Sequence, residues 1–209
     1  MRRISISAAS PDARGLNEAA RVIEADGIVA LPTDTLYGLA VNPFHPGAVA
    51  RVFAAKGRAA ERALLLIAAD VEQIERHIGP LSSQAQSLAS AFWPGPLTLL
   101  MSAPATLAAG VASTDGTVGV RVPAHTIARE LCRACGVPLT ATSANLSGAE
   151  APSRPADVER SFSDRIDLLI DAGTTPGGPP STIVDVSGHV PKLVRAGAIS
   201  WDEIRERLT

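Results

Sequence analysis

Short apolar runs alternate with helix-like segments along this chain, and this alternation limits the folds it can adopt more than any other feature of the sequence. Residues 28–31 (IVAL) and 63–69 (ALLLIAA) are apolar at every position, as strands buried on both faces are. Between them, residues 46–55 carry apolar side chains at helical spacing and stop at Gly57, a common helix terminator. Strands and helices in this order predict the α/β class.

The remaining elements follow from the same reasoning. Predicted helices cover residues 10–26, 82–93, 125–135, 155–162 and 201–208, and the last has capping-box spacing between Ser200 and Glu203. Predicted strands cover 97–102, 117–122, 138–142, 166–173, 181–186 and 192–197, and residues 33–38 (TDTLYG) are predicted to form a polar loop. Strands outnumber complete strand–helix–strand units in the second half, so we expect a twisted mixed sheet with flanking helices. With no internal repeat or low-complexity linker, residues 1–209 are predicted to form one domain.

Composition and charge exclude some classes of protein. The longest apolar run, residues 63–69, is far shorter than the about 18 residues that suggest a membrane span. The first residues contain Arg2 and Arg3 but break with Ser, Pro and Asp before any apolar stretch of signal-peptide length. We therefore expect a cytoplasmic protein with no membrane partner. Nineteen Lys and Arg against 21 Asp and Glu give a formal charge of -2, so nucleic-acid contact would need a local patch.

The two cysteines, Cys132 and Cys135, have C-x-x-C spacing, which is found in redox pairs and in half of a zinc site. No second cysteine pair exists, and the four histidines are scattered singly along the chain. Because a tetrahedral zinc site would need ligands from distant segments, we interpret the pair as two buried thiols of a helix and predict no protein-held metal.

A compact cationic segment, Lys56, Arg58 and Arg62, lies between a predicted helix and a predicted strand. Neither G-x-x-x-x-G-K-[ST] nor G-x-G-x-x-G occurs, so any phosphate must be held largely by side chains. Lysine supplies a point charge and arginine a two-pronged fork, which suits a triphosphate. The alternative is an ordinary solvated surface.

Polar side chains cluster at other strand ends, where ligands bind in α/β proteins. They are Thr33, Asp34, Thr35, Arg121, Ser143, Asn145, Ser181 and Arg195. Arg121 stands inside an apolar strand, so it must be ion-paired or reach into a site, and we expect the second. Asp34, like Asp171 and Asp185, is interpreted as a loop cap. The predicted crevice is thus cationic and rich in hydroxyls, which suits the positioning of phosphate and carboxylate groups.

Seven segments together resemble the YrdC/TsaC family of threonylcarbamoyl-AMP synthases, and they occur in the family's order. They are PTDTLYGL (32–39), AAKGR (54–58), WPGPLTLLM (93–101), VGVRVPAH (118–125), TSANLSG (142–148), PSTIVD (180–185) and RAGAI (195–199). The resemblance implies a YrdC-like fold that encloses a cationic crevice, in the short single-domain branch of the family.

The resemblance also implies a reaction, a nucleotidyl transfer. L-Threonine, bicarbonate and ATP would give threonylcarbamoyl-AMP and pyrophosphate, for modification of the adenosine beside the anticodon of certain tRNAs. Mg²⁺ would arrive with ATP. The implied partners are tRNA or double-stranded RNA, and the proteins that transfer the threonylcarbamoyl group to tRNA.

Site residues follow from the family's motifs. For L-threonine they are Thr35, Arg121, Ser143 and Ser181; for the nucleotide they are Lys56, Arg58, Thr117, Asn145, Ser153 and Arg195. Lys56 and Arg58 match a K-x-R motif and are implied to be catalytic. Ala59 and Ala63 stand where many members carry proline, which predicts a mobile loop that orders on nucleotide binding.

Two other functions remain open from the sequence. One is an RNA-binding module without catalysis, although aromatic residues make up only 3% of the chain and leave few stacking platforms. The other is carbamoyl-adenylate chemistry with an acceptor different from threonine.

Overall fold

The computed structural model describes residues 1–57 and 63–208. Within them the helices are α1 (Ala13–Glu24), α2 (Pro46–Lys56), α3 (Val71–His77), α4 (Ser83–Phe92), α5 (Thr126–Cys135), α6 (Pro155–Phe162) and α7 (Trp201–Glu206). The strands are β1 (Arg2–Ser5), β2 (Val29–Pro32), β3 (Tyr37–Ala40), β4 (Leu66–Ile67), β5 (Leu97–Ser102), β6 (Thr117–Arg121), β7 (Leu139–Thr140), β8 (Thr142–Ser143), β9 (Leu168–Asp171), β10 (Thr182–Asp185) and β11 (Lys192–Arg195).

The strands form two mixed sheets. Sheet A has the order β1-β9-β2-β3-β8, and sheet B has the order β11-β10-β5-β6-β4-β7. Each combines parallel pairs, such as β2 with β9 and β10 with β5, with antiparallel pairs, such as β2 with β3 and β5 with β6. The predicted α/β class with mixed strand directions is confirmed, and the strands divide between two sheets where the sequence suggested one.

A shared hydrophobic core connects the two sheets. Ala30 and Leu39 of sheet A belong to the same buried cluster as Leu99 and Val120 of sheet B. The neighbouring residue Leu31 points the other way and packs with α1 and α5 in a second cluster. This period of two is what a strand buried on both faces requires, and it explains the apolar run at 28–31.

Several helix ends follow local chemistry. The carboxylate of Asp12 caps α1 by accepting from the backbone N–H groups of Arg14 and Gly15 at 3.1 Å each, so the helix begins three residues later than the predicted start at residue 10. The capping box predicted between Ser200 and Glu203 is present at α7.

The prediction of a loop through residues 33–38 is partly wrong, because β3 begins at Tyr37 and pairs with β2. The Thr33 hydroxyl accepts from the backbone N–H groups of Thr35 and Leu36, both at 3.2 Å, and this closes a tight turn between the strands. The polar residues of this segment therefore form only the turn, residues 33–36. β1 and α3 are present although neither was predicted from the sequence, and the strand expected over 63–69 is reduced to Leu66–Ile67.

One short segment joins the two sheets. β7 pairs with β4 in sheet B, and β8 pairs with β3 in sheet A, with Ala141 alone between them. The N–H of Ala141 donates to the Leu65 carbonyl at 2.8 Å. The residues that follow β7 are therefore held between the sheets.

In the described part of the chain, no helix combines the length and apolar character needed to cross a bilayer.

The C-x-x-C pair lies on α5. Cys132 is buried, as predicted, and Cys135 is half-buried. Burial raises the pKa of both thiols, that of Cys135 to about 12, so both are protonated at neutral pH.

Candidate active site

A cavity of about 570 Å³ opens where one edge of sheet B meets the ends of β2 and β8. Because β5 and β6 are antiparallel, the start of β5 and the end of β6 lie at the same edge. Five of the predicted site residues line this cavity: Thr35, Arg121, Ser143, Ser181 and Arg195. Leu36, Leu66 and Ile183 add apolar surface. The structure thus brings together the four residues expected around L-threonine and one expected around the nucleotide.

The turn after β2 positions Thr35. The Thr33 hydroxyl donates to the Leu36 carbonyl at 2.7 Å and lies 3.1 Å from the Thr35 hydroxyl. The Thr35 carbonyl accepts from the N–H of Gly177 at 2.9 Å. Thr35 is therefore held from both sides of its backbone while its side chain faces the cavity.

Arg121 reaches the cavity from the end of β6. It is only 8% exposed, and its Nε donates to the Gly95 carbonyl at 2.8 Å. Its Nη2 forms an ion pair with Asp34. The two alternatives considered for this arginine, structural pairing and a place in the site, both hold. The interpretation of Asp34 as a loop cap is wrong, because its carboxylate faces Arg121.

Arg195 and Ser181 form a second polar corner. Arg195 Nη2 donates to the Ser181 carbonyl at 2.8 Å and to its hydroxyl at 3.1 Å. The Ser181 hydroxyl also lies 2.8 Å from that of Thr98, a buried residue that the sequence analysis missed. Burial, and then the charge of Arg121, lower the pKa of Arg195. Two guanidinium groups that repel each other across one cavity favour a ligand with more than one anionic group.

Lys56 is placed behind the cavity wall. It is 3% exposed, and its Nζ donates to the Ser143 carbonyl, to the Asn145 carbonyl at 2.7 Å and to Asn145 Oδ1 at 3.4 Å. The Ser143 hydroxyl donates to the same Oδ1, and Asn145 Nδ2 donates to the Ala149 carbonyl at 2.6 Å. Lys56 therefore orders the turn that carries Ser143 into the cavity.

Thr117 and Ser153 lie apart from the cavity lining. Thr117 is at the other end of β6 from Arg121, and its hydroxyl donates to the Asp115 carboxylate at 2.8 Å. The Ser153 carbonyl accepts from the N–H of Thr175 at 2.9 Å, which ties together two loops near Thr35. Arg58, Arg62 and the loop predicted to be mobile at Ala59 lie outside the described residues; Ala63, at its end, lines the cavity.

Comparisons with known proteins place this chain in a family. The model of the Sua5/YciO/YrdC family, described as "Telomere recombination", matches residues 21–197. The threonylcarbamoyl-AMP synthase of Bacillus subtilis is 37% identical over 188 residues, which cover 90% of this chain and 54% of that protein. The enzyme of the same name from Nitrosococcus oceani is 35% identical over 167 residues, which cover 80% of this chain and 90% of that protein.

A solved structure of Pyrococcus abyssi Sua5 complexed with L-threonine superposes with a TM-score of 0.93 at 35% identity, covering all of this chain and 61% of that one. The chain thus spans little more than half the length of the Bacillus subtilis and Pyrococcus abyssi proteins.

Proposed function

The chain belongs to the Sua5/YciO/YrdC family, and from this membership we propose that it is an L-threonylcarbamoyladenylate synthase, an enzyme that joins L-threonine, bicarbonate and ATP. The observation that carries the proposal is the meeting of Thr35, Arg121, Ser143, Ser181 and Arg195 around one cavity. Its volume of about 570 Å³ is in the range of small-molecule sites. The Pyrococcus abyssi relative complexed with L-threonine supports the choice of amino acid.

The proposed chemistry is a nucleotidyl transfer and needs no protein nucleophile. The threonine amine adds to CO₂ from bicarbonate and loses a proton, which gives a carbamate. A carbamate oxygen then forms a bond to the α-phosphorus of ATP while the bond to the β,γ-pyrophosphate breaks. Catalysis of this kind depends on alignment and on stabilisation of charge.

In this proposal Arg121 pairs with the threonine carboxylate, because a guanidinium forms two parallel hydrogen bonds to a carboxylate. The hydroxyls of Thr35 and Ser181 hold the threonine, and Ser143 closes its side of the cavity. Arg195 takes a phosphate group of the nucleotide at the second polar corner.

The other predicted nucleotide contacts are Lys56, Arg58, Thr117, Asn145 and Ser153. The carbonyl oxygens around Lys56 favour a modified role, in which it positions the Ser143–Asn145 turn and adds its charge to that wall. Arg58 keeps the role of neutralising the phosphates and the departing pyrophosphate. Thr117 and Ser153 stay predictions as nucleotide contacts.

Mg²⁺ is proposed to come with ATP. In residues 1–57 and 63–208, no group of three or more His, Cys, Asp or Glu side chains is arranged to hold a metal ion, and Asp34 is occupied by Arg121. No step of the mechanism is therefore assigned to the ion. Use of the product in tRNA modification, transfer proteins as partners, RNA contact and a cytoplasmic location belong to the same proposal.

The test is to incubate the purified chain with ATP, Mg²⁺ and bicarbonate, with and without L-threonine. Pyrophosphate release is followed together with mass spectrometry of the adenylate. We expect release that depends on threonine and a threonylcarbamoyl-AMP product. Release without threonine would indicate another carbamoyl acceptor. No release, with salt-sensitive RNA binding that ignores ATP, would favour the RNA-binding module.

A further inference from the structure

Three buried polar side-chain atoms near the cavity make no hydrogen bond within the described part of the chain. They are Asp34 Oδ1, Arg121 Nη2 and His125 Nδ1. The first two contact each other as an ion pair without the alignment of a hydrogen bond. Buried polar atoms are nearly always hydrogen-bonded, so three exceptions from two segments that meet at one cavity require an explanation.

The guanidinium of Arg121 is fixed at two points. Gly95 accepts from Nε at 2.8 Å, and Gly95 is itself fixed because its N–H donates to the Val122 carbonyl at 2.9 Å. A Cβ at Gly95 would lie 2.3 Å from the Phe92 carbonyl oxygen, so this position tolerates only glycine. Asp34 is the second point, at Nη2. The N–H groups not used by these two partners are the ones free to meet a ligand.

The backbone that carries Asp34 is held in place as well. Its backbone lies in the turn that the Thr33 hydroxyl closes, between Thr33 and Thr35, which both line the cavity. The side chains of Asp34 and Arg121 are only 14% and 9% exposed. A charge pair this deeply buried is weakly screened by water, so its geometry strongly influences where the guanidinium points.

We infer that Asp34 is a positioning residue: it holds the guanidinium of Arg121 at the angle at which the remaining N–H groups bind the carboxylate of the ligand, and it acts on the ligand only through Arg121. The inference rests on the proposed function, which makes L-threonine that ligand. His125, at the N-cap position of α5, lies close enough to Asp34 to interact with it electrostatically.

The direction in which Asp34→Asn changes the affinity for L-threonine distinguishes a positioning role from a simple effect of charge. Asp34→Asn removes a negative charge beside the site, so if charge alone mattered the variant would bind a carboxylate more tightly. If Asp34 positions Arg121, the variant binds L-threonine more weakly, because a freed guanidinium must be ordered again on binding. The two readings therefore predict changes of affinity in opposite directions.

The experiment measures the Kd for L-threonine by calorimetry, and the KM values for L-threonine and ATP, on the full chain. For Asp34→Asn we expect the Kd and KM for L-threonine to rise about tenfold, while the KM for ATP changes less than about twofold. Asp34→Glu recovers part of the loss. Asp202→Asn, an exposed aspartate of α7, is the matched control and leaves all three values unchanged.

A double-mutant cycle tests whether Asp34 acts through Arg121. With Arg121→Met in place, adding Asp34→Asn should weaken L-threonine binding no further, whereas independent contributions would add. The double variant leaves no buried charge without a partner, so it remains usable if Asp34→Asn alone folds poorly. Unchanged or tighter binding by a folded Asp34→Asn protein, or additive losses, overturns the inference.

A readout without L-threonine keeps this inference separate from the proposed function. The side-chain ¹⁵N resonances of Arg121, identified by their loss in Arg121→Met, report rotation of the guanidinium. We expect slow rotation in the wild type and faster rotation in Asp34→Asn. Slow rotation in both proteins overturns the inference. A wild type that shows the expected rotation but does not bind L-threonine contradicts the proposed function instead.

Discussion

Arg195 and Ser181 are joined by three hydrogen bonds: the Nε and the Nη2 of the arginine both donate to the serine carbonyl, and the Nη2 also donates to the serine hydroxyl. The hydroxyl is also shared with Thr98 at 2.8 Å. One serine thus connects a cation, a buried strand and the cavity surface. Replacing Ser181 by alanine removes the hydroxyl and leaves the contact between its backbone carbonyl and Arg195 in place.

Ser181→Ala is expected to raise the KM for L-threonine about five- to tenfold and to lower the free energy of unfolding by about 1 kcal/mol, the usual worth of a buried hydrogen bond. Steady-state kinetics and urea unfolding measure the two effects. Ser90→Ala, at an exposed serine of α4, is the control and should change neither. A Ser181→Ala protein with an unchanged KM for L-threonine would contradict the role given to this hydroxyl.

Lys56→Met is expected to lower the free energy of unfolding by about 1–3 kcal/mol, because it removes the buried ammonium that donates to the partly buried carbonyl groups of Ser143 and Asn145. It should also reduce kcat/KM for L-threonine, since the turn that carries Ser143 loses its order. Unfolding in urea and steady-state kinetics measure these losses. Lys192, the other lysine of the chain, is exposed, so Lys192→Met is the matched control. Equal stability of the two variants would show that Lys56 does not order the turn.

Asp12→Ala is expected to destabilise the protein by about 1 kcal/mol, because α1 loses the side-chain cap on two of its first N–H groups. Ser10→Ala, two residues earlier, should have no measurable effect, and it is the internal comparison. Thermal or urea unfolding gives the result. A larger loss from Ser10→Ala than from Asp12→Ala would mean that Ser10, and not Asp12, stabilises the start of α1.

His125 predicts a dependence of stability on pH. Burial lowers its pKa in the folded protein, and although Asp34 raises it and Arg129 lowers it further, the net direction is down. The unfolded chain then binds a proton more readily than the folded one, so stability should fall as the pH drops below about 6.5, the usual pKa of histidine.

The measurement compares the urea midpoint of the wild type with that of His125→Gln between neutral pH and pH 5. The variant should lose less stability on acidification than the wild type. His189→Gln, at an exposed histidine, should behave like the wild type. Parallel pH curves for wild type and His125→Gln would refute the prediction.

The sequence predicted the cavity better than it predicted how the cavity is built. Thr35 lies in the turn after β2 and Ser143 is the last residue of β8, and polar residues at strand ends converge by the geometry of sheets, so their meeting could be expected. Ser181, in contrast, lies just before β10. β10 runs parallel to β5, and β5 runs antiparallel to β6, so the start of β10 lies at the same end of sheet B as the end of β6. Ser181 meets the other site residues only because of these strand directions. Strand direction is set by tertiary packing and is not written in the local pattern.

Charged residues were harder to interpret than hydroxyls. Lys56 and Asp34 are both charged residues beside apolar runs, a pattern typical of exposed turns. Yet Lys56 is buried and Asp34 is half-buried, each against a partner far away in the sequence. Strands of both sheets lie between Asp34 and Arg121 in the sequence, and local spacing carries no information about such distant pairs. A charge close to an apolar strand end was the only available sign.

The single residue between β7 and β8 has a mechanical consequence. Since Ala141 joins a strand of one sheet directly to a strand of the other, the two walls of the cavity are tethered by almost no slack chain. Any change in the spacing of the sheets must be transmitted to Ser143, two residues away, and any pull on Ser143 must be felt by both sheets. This one-residue connection therefore limits how far the two walls of the cavity can move apart.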